Sequence, residues 1–218
     1  MGLLRIFSAV ALTTLSLATS SLAAGNSEYS PIEANSVSEQ TIVPQKIKKE
    51  LNRPIQVGVF VGVPNIFVRQ KNEELHITAS KGKLKIKTRS KRQQTADRRV
   101  FKATGTSASD CIAIATDKAG LNKACYNGEF IVTANGNKLN AINVIDIEDY
   151  LRGVVPYEIG KLDESKFEAL KAQAVAARTY AYKHFGSRVA QGFDVYADTR
   201  DQVYKASLSR RSPTGRLW

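Results

Sequence analysis

The pattern of apolar and polar positions changes character twice along the chain. Residues 25–53 carry single apolar residues among Ser, Asn, Glu, Gln and Pro, without a period. Such a stretch reads as a flexible linker, in which only IVPQKIKKEL hints at a short helix. From Ile55 onward, β-branched and aromatic residues with Gly punctuation take over. IQVGVFVGV reads as a strand. ELHITAS and KLKIKT alternate polar and apolar residues, the period of a half-buried strand. ACYNGEFIVTANGNKLNAINVID contains two turn signals, Asn127-Gly128 and Asn135-Gly136, and reads as a hairpin with a following strand. Residues 54–147 are therefore expected to be β-rich, built of short strands and hairpins.

After Asp146 the period becomes helical. In DIEDYLRGVV, Asp146 is placed to cap a short helix, with Glu148 and Asp149 in its first turn, and Pro156 is expected to end or redirect it. DESKFEALKAQAVAARTYAYKHFG then predicts a long Ala-rich helix, capped near Asp163 or Ser165 and closed by Gly186. Phe167, Leu170, Ala174, Ala177 and Ala181 fall on one face. Lys171, Val175, Arg178 and Tyr182 form a second stripe with two cations, which reads either as surface charge or as a ligand-facing row. GFDVYADTRDQVYKA reads as extended, and SLSRRSPTGRLW has no period. The expected class is α+β: a β-rich N-terminal region, then an Ala-rich helical element over residues 148–205, then a tail without a period.

The chain has 218 residues, 43% of them hydrophobic and 24% charged, enough for one domain of ordinary size or two small ones. Its net charge of +12 suits a polyanionic partner: nucleic acid, an acidic membrane or an anionic cell-wall polymer. The N-terminus narrows that choice. Residues 1–24 combine Arg5, an apolar run and small residues, the pattern of a secretory signal peptide cleaved after Ala23 or Ala24. The alternative is a single membrane anchor, but seven Ser and Thr between Ser8 and Ser21 interrupt the run. No stable membrane span is expected after cleavage, because no later segment approaches the ~20 apolar residues of a spanning helix. An exported protein, periplasmic, wall-bound or extracellular, is not expected to bind nucleic acid.

Residues 81–102 hold ten Lys or Arg and one acid, Asp97. Lys83, Lys85 and Lys87 alternate with Leu84 and Ile86 and so share one strand face. That face is either a guarded sheet edge or a dock for an anionic polymer. Cys111 and Cys125, an even count in an exported chain, read as one disulfide. Two buried thiols are the other possibility, and a zinc site is disfavoured because His76 and His184 lie far off in sequence.

The densest signal is YLRGVVPYEIGKLDESKFEALKAQAVAARTYAYKHFG followed by FDVYADTRDQVYKA. EDYLRGVVPYEI, FEALKAQAVAARTYA and DQVY, with NGEF and INVIDIEDYL before them, resemble the stage II sporulation protein D / LytB family of cell-wall proteins, over roughly residues 55–205. The resemblance implies a lytic transglycosylase that cuts the MurNAc–GlcNAc bond of peptidoglycan and leaves a 1,6-anhydro sugar, using one glutamate, here Glu158. LytB-type members are instead described as enhancers of a cell-wall amidase. The residues argue in parallel. A glycosidic oxygen needs a proton to leave, and a carboxyl between Val155, Tyr157 and Ile159 could be kept protonated by apolar neighbours. Without the resemblance, Glu158 would read as an exposed residue after a proline turn. The same carry-over places Lys171, Arg178, Gln202 and Tyr204 along the groove, the cations on acetamido or lactyl groups, Gln202 on hydroxyls and Tyr204 stacked on a sugar ring.

Two departures stand out. Many members carry Cys and His in the segment matching DVYADTRDQVY, where zinc has been proposed. Tyr196, Arg200 and Asp201 occupy those places here, so neither metal nor other cofactor is expected. The family domain also continues past QVY, whereas residues 206–218 do not resemble it. The sequence thus reads as a truncated or frame-shifted member, and an inactive remnant stands beside enzyme and enhancer as a third expectation.

Overall fold

The computed structural model describes residues 52–90, 92–104, 110–123, 125–160 and 164–206. The expected signal peptide, the linker up to residue 51 and the tail from residue 207 lie outside the described residues.

Ten strands form two five-stranded sheets. The first has the order β10-β1-β9-β8-β6, with β1 Ile55–Val63, β6 Arg98–Lys102, β8 Glu129–Asn135, β9 Lys138–Ile145 and β10 Val195–Tyr196. The second has the order β5-β4-β3-β2-β7, with β2 Asn65–Gln70, β3 Glu73–Ser80, β4 Lys83–Thr88, β5 Gln93–Ala96 and β7 Ala113–Ala115. All pairings are antiparallel except β1 with β10. The described residues are thus α+β, as their patterning predicts.

Alternation explains the core. Ile66 and Val68 of β2, Leu75 and Ile77 of β3, and Leu84 and Ile86 of β4 point inward. They join Phe130, Val132, Leu139 and Ala141 of β8 and β9 in one cluster. Each Val, Leu, Ile or Phe among them contributes about 1.5–3 kcal/mol on burial. The β8–β9 hairpin turns where Asn135-Gly136 predicts, with Gly136 at φ 60°. At Gly128 a side chain is excluded: φ is 77° and a Cβ would lie 2.5 Å from the Val144 carbonyl oxygen. Cys111 and Cys125 are joined as a disulfide.

Two helices follow, α1 Ile147–Glu158 and α2 Phe167–Lys183. The Asp146 carboxylate accepts from the Glu148 N–H at 2.8 Å, the predicted cap. Pro156 does not end α1, which runs two residues further. So near the C-terminus the ring removes a single intrahelical donor, and the Ile159 N–H still reaches the Val155 carbonyl at 3.1 Å. A 3₁₀ turn, Glu164–Lys166, leads into α2 without a side-chain cap at Lys166. Leu170, Ala174, Ala177 and Ala181 are buried, with Phe167 packed against the core, while Lys171 and Val175 are exposed. Arg178, late in α2, reaches Glu148 in the first turn of α1, as antiparallel neighbours do.

Candidate active site

The site is assembled from the C-terminal end of α1 and the segment 194–206 that crosses it. Gly153 makes the crossing feasible. A Cβ there would lie 2.5 Å from both the Lys205 carbonyl oxygen and a Tyr204 ring carbon. The bare backbone lets the Lys205 N–H bond to the Gly153 carbonyl at 3.0 Å, a close approach of the kind that glycine permits.

Buried polar contacts fix that segment. The Tyr204 hydroxyl donates to Asn143 Oδ1 at 2.7 Å, and Asn143 Nδ2 donates to the carbonyls of Asn127 and Glu129. The Tyr150 hydroxyl donates to Gln202 Oε1 at 3.1 Å. Burial pushes the Tyr150 phenol well above its ordinary value, with Asp201, Glu158 and Tyr180 adding to the effect, so it remains a donor. Asp201, whose side chain is 2% exposed, accepts from the Tyr180 hydroxyl, from Arg188 and from the Tyr196 N–H. Asp194 accepts from both Arg53 guanidinium nitrogens and from the N–H groups of Gln56 and Gly186. Asp194 thereby ties Arg53, which the sequence places in the linker, to the start of β10.

This scaffold delivers one bond to Glu158. The Val203 N–H donates to Glu158 Oε1 at 2.5 Å. Glu158 is exposed at the last position of α1, and its other oxygen makes no hydrogen bond among the described residues. The expected apolar enclosure is therefore absent: Val155 turns into the core, Ile159 packs partly against it, and Tyr157 lies under the Lys205 ammonium, 4.9 Å from its ring centroid. Helical geometry is the reason, since consecutive residues point about 100° apart.

The other predicted residues divide. Lys171, one turn into α2, is exposed, paired with Glu168 at 2.8 Å and set over the Phe167 ring. Arg178 grips Glu148 with two bonds, of 2.8 and 2.7 Å, and so clamps helix to helix. Gln202 and Tyr204 are 6% and 3% exposed. A Tyr204 ring so enclosed is not a stacking platform, and both residues act instead as anchors beneath the site. Tyr150, Asn143 and the Val203 N–H escape sequence reading, and Asp201 is singled out there only as standing where other members carry Cys or His: the side chains look like ordinary strand, helix or loop polar residues, and a backbone donor leaves no trace in composition.

Tyr196, Arg200 and Asp201 pair with protein groups: the Tyr196 N–H donates to Asp201 Oδ2 at 2.7 Å. Arg200 stacks over Tyr196, 3.5 Å from its centroid, and pairs with Asp198, while Asp201 turns inward. Among the described residues no group of three or more His, Cys, Asp or Glu could hold a metal ion, and no helix is long and apolar enough to cross a membrane.

Comparison with known proteins adds a family. Residues 135–216 match the family model described as SpoIID, stage II sporulation protein. The match takes in β9, both helices and the crossing segment, and runs on into the part beyond residue 205. An uncharacterized protein of Brachyspira hyodysenteriae is 41% identical over 85 residues, which is 38% of this chain and 23% of that protein. No solved structure matches. On the span 135–216, which holds Glu158 and the segment that crosses it, the chain is similar to the SpoIID type of stage II sporulation proteins.

Proposed function

We propose that the Glu158 end of α1 is the acid–base centre of a lytic transglycosylase that cleaves the MurNAc–GlcNAc bond of peptidoglycan after export of the protein. The match to the SpoIID family model is consistent with a role in the cell wall or in sporulation. The observation that carries the finer reading is the Glu158–Val203 bond. A surface glutamate ordinarily moves freely. This one is held by a backbone donor on a segment that Gln202, Tyr204 and the Lys205–Gly153 contact all fix in place, and such pre-set positioning is what acid–base catalysis needs.

In the proposed reaction, the Glu158 carboxyl gives its proton to the glycosidic oxygen as the bond to the anomeric carbon breaks. The substrate's own 6-hydroxyl then bonds to that carbon, and its proton returns to the Glu158 carboxylate. No second carboxylate is required, unlike in ordinary glycoside hydrolysis, and no cofactor takes part. A glycan strand lying over this exposed carboxyl would exclude water from it. Lys171, on the helix that returns beside α1, is the cation available to the strand's carboxylates or acetamido carbonyls.

Digestion of purified peptidoglycan with mass analysis of the products tests this reading. Anhydro ends are expected, and Glu158→Gln should lower their formation by about 10²–10⁴-fold, the usual contribution of a general acid. New reducing ends in place of anhydro ends would overturn it. A second reading draws on the exposure of Glu158: a wall-binding enhancer of an amidase that cuts nothing itself. It is favoured if wild type and Glu158→Gln both leave glycan intact yet raise amidase turnover equally.

A further inference from the structure

The outward face of the second sheet is a basic platform that the Glu158 centre does not use. Lys83, Lys85 and Lys87 are exposed on β4, spaced about 6.6–6.8 Å apart as alternate residues of a strand. Lys85 and Lys87 have no ion-pair partner among the described residues, whereas Lys83 pairs with Asp97. Cross-strand register sets Thr78 and Thr95 on either side of Lys85, and His76 and Gln93 on either side of Lys87. Phe67 stacks on His76 with centroids 4.3 Å apart. The acid further along this face, Glu74, is neutralised by Lys118.

We propose that this face binds a linear polyol phosphate, a phosphodiester chain without bases, laid along β4. The binding surface is separate from the Glu158 centre and does not depend on what that centre does. Four features select the ligand. A row of point charges at regular spacing fits a polymer with repeating charge. Lysine ammoniums bind tetrahedral phosphate as point charges, without the bidentate fork that arginine offers to phosphate and carboxylate alike. Hydroxyls and amides beside Lys85 and Lys87 can pair with polyol oxygens, but no ring lies beside Lys83 or Lys85 to stack a run of bases. The described large apolar residues that are exposed, Val100, Val175 and Val189, all lie off this sheet, which leaves nothing to enter a bilayer.

The test is fluorescence anisotropy with poly(glycerol phosphate) over a salt series, on the full chain. Lys85→Gln/Lys87→Gln should weaken binding several-fold and flatten the log–log salt slope by about 1.4, from ~0.7 per phosphate contact in single-stranded phosphodiesters. Asp97→Asn frees Lys83 and should steepen the slope by about 0.7 on the same scale, a gain that misfolding cannot mimic. Both variants should leave glycan cleavage unchanged. Oligo(dT), polygalacturonate and phosphatidylglycerol vesicles serve as the competing chemistries. Equal or tighter binding of any of these, or slopes that do not move in the two variants, overturns the proposal.

Discussion

At the scale of single residues, the protein spends buried polar groups on placing one exposed carboxylate. Tyr204 and Asn143 satisfy each other in the core. Tyr204→Phe strands the Asn143 oxygen and should cost about 1–3 kcal/mol in urea unfolding, with a loss of glycan cleavage larger than the stability loss explains. Glu158 itself was legible as a position, through the VVPYEIG motif, but not as an environment. A glutamate between apolar neighbours in sequence is separated from them once the chain is helical. Gln202 and Tyr204 were legible as important and misread in role, since polar side chains at a buried crossing look the same in sequence as polar side chains in a groove. His76 gives a pH signature of its own. Burial, then the nearby Lys87, holds its imidazole below the ordinary histidine value of 6.5. The unfolded chain therefore takes up the proton first, so stability is unaffected well above pH 6.5 and falls as the pH drops through that value. His76→Gln should flatten this fall in melts recorded across the range.

At the scale of elements, α1 and α2 act as a clamped pair. The Ala face of α2 was readable from its period because burial imposes a 3.6-residue repeat, and β3, β4 and the β8–β9 hairpin were readable because alternation and Asn-Gly turns are local. The short strands β7 and β10 were not, since three and two residues carry no period and owe their existence to partners distant in sequence. Arg178 separates two roles cleanly. As a clamp on Glu148, one-third exposed, it should contribute at most about 1 kcal/mol, so Arg178→Ala should lower the melting temperature slightly and leave KM unchanged. A raised KM at unchanged stability would return Arg178 to the groove. The disulfide belongs to this scale as well. Cys111 and Cys125 are 14 residues apart, and closing such a loop stabilises by about 3 kcal/mol in the chain-entropy account. Reduction, or Cys111→Ser with Cys125→Ser, should lower the unfolding midpoint accordingly.

At the scale of the whole molecule, the two sheets, the helices and the crossing segment share one hydrophobic cluster. Residues up to 141 positions apart in the chain meet at Asp194, where Arg53 and the N–H groups of Gln56 and Gly186 converge. Asp194→Ala removes the acceptor these donors share and should cost about 1–3 kcal/mol, the scale for leaving a buried donor unsatisfied, seen as a lowered melting temperature. Such long-range closure could not be read from local pattern, because Asp194 lies in an unremarkable loop sequence.

The glycine at position 153 has a consequence for timing. Its bare backbone waits for Lys205, and the end of its helix waits for Val203, 45 residues after Glu158. On the ribosome, where synthesis proceeds at about 5–20 residues per second and folding is N-terminal first, the helix emerges seconds before its cover. Glu158 is thus left unaligned throughout translation of those residues, and acquires its fixed position only when the covering segment arrives.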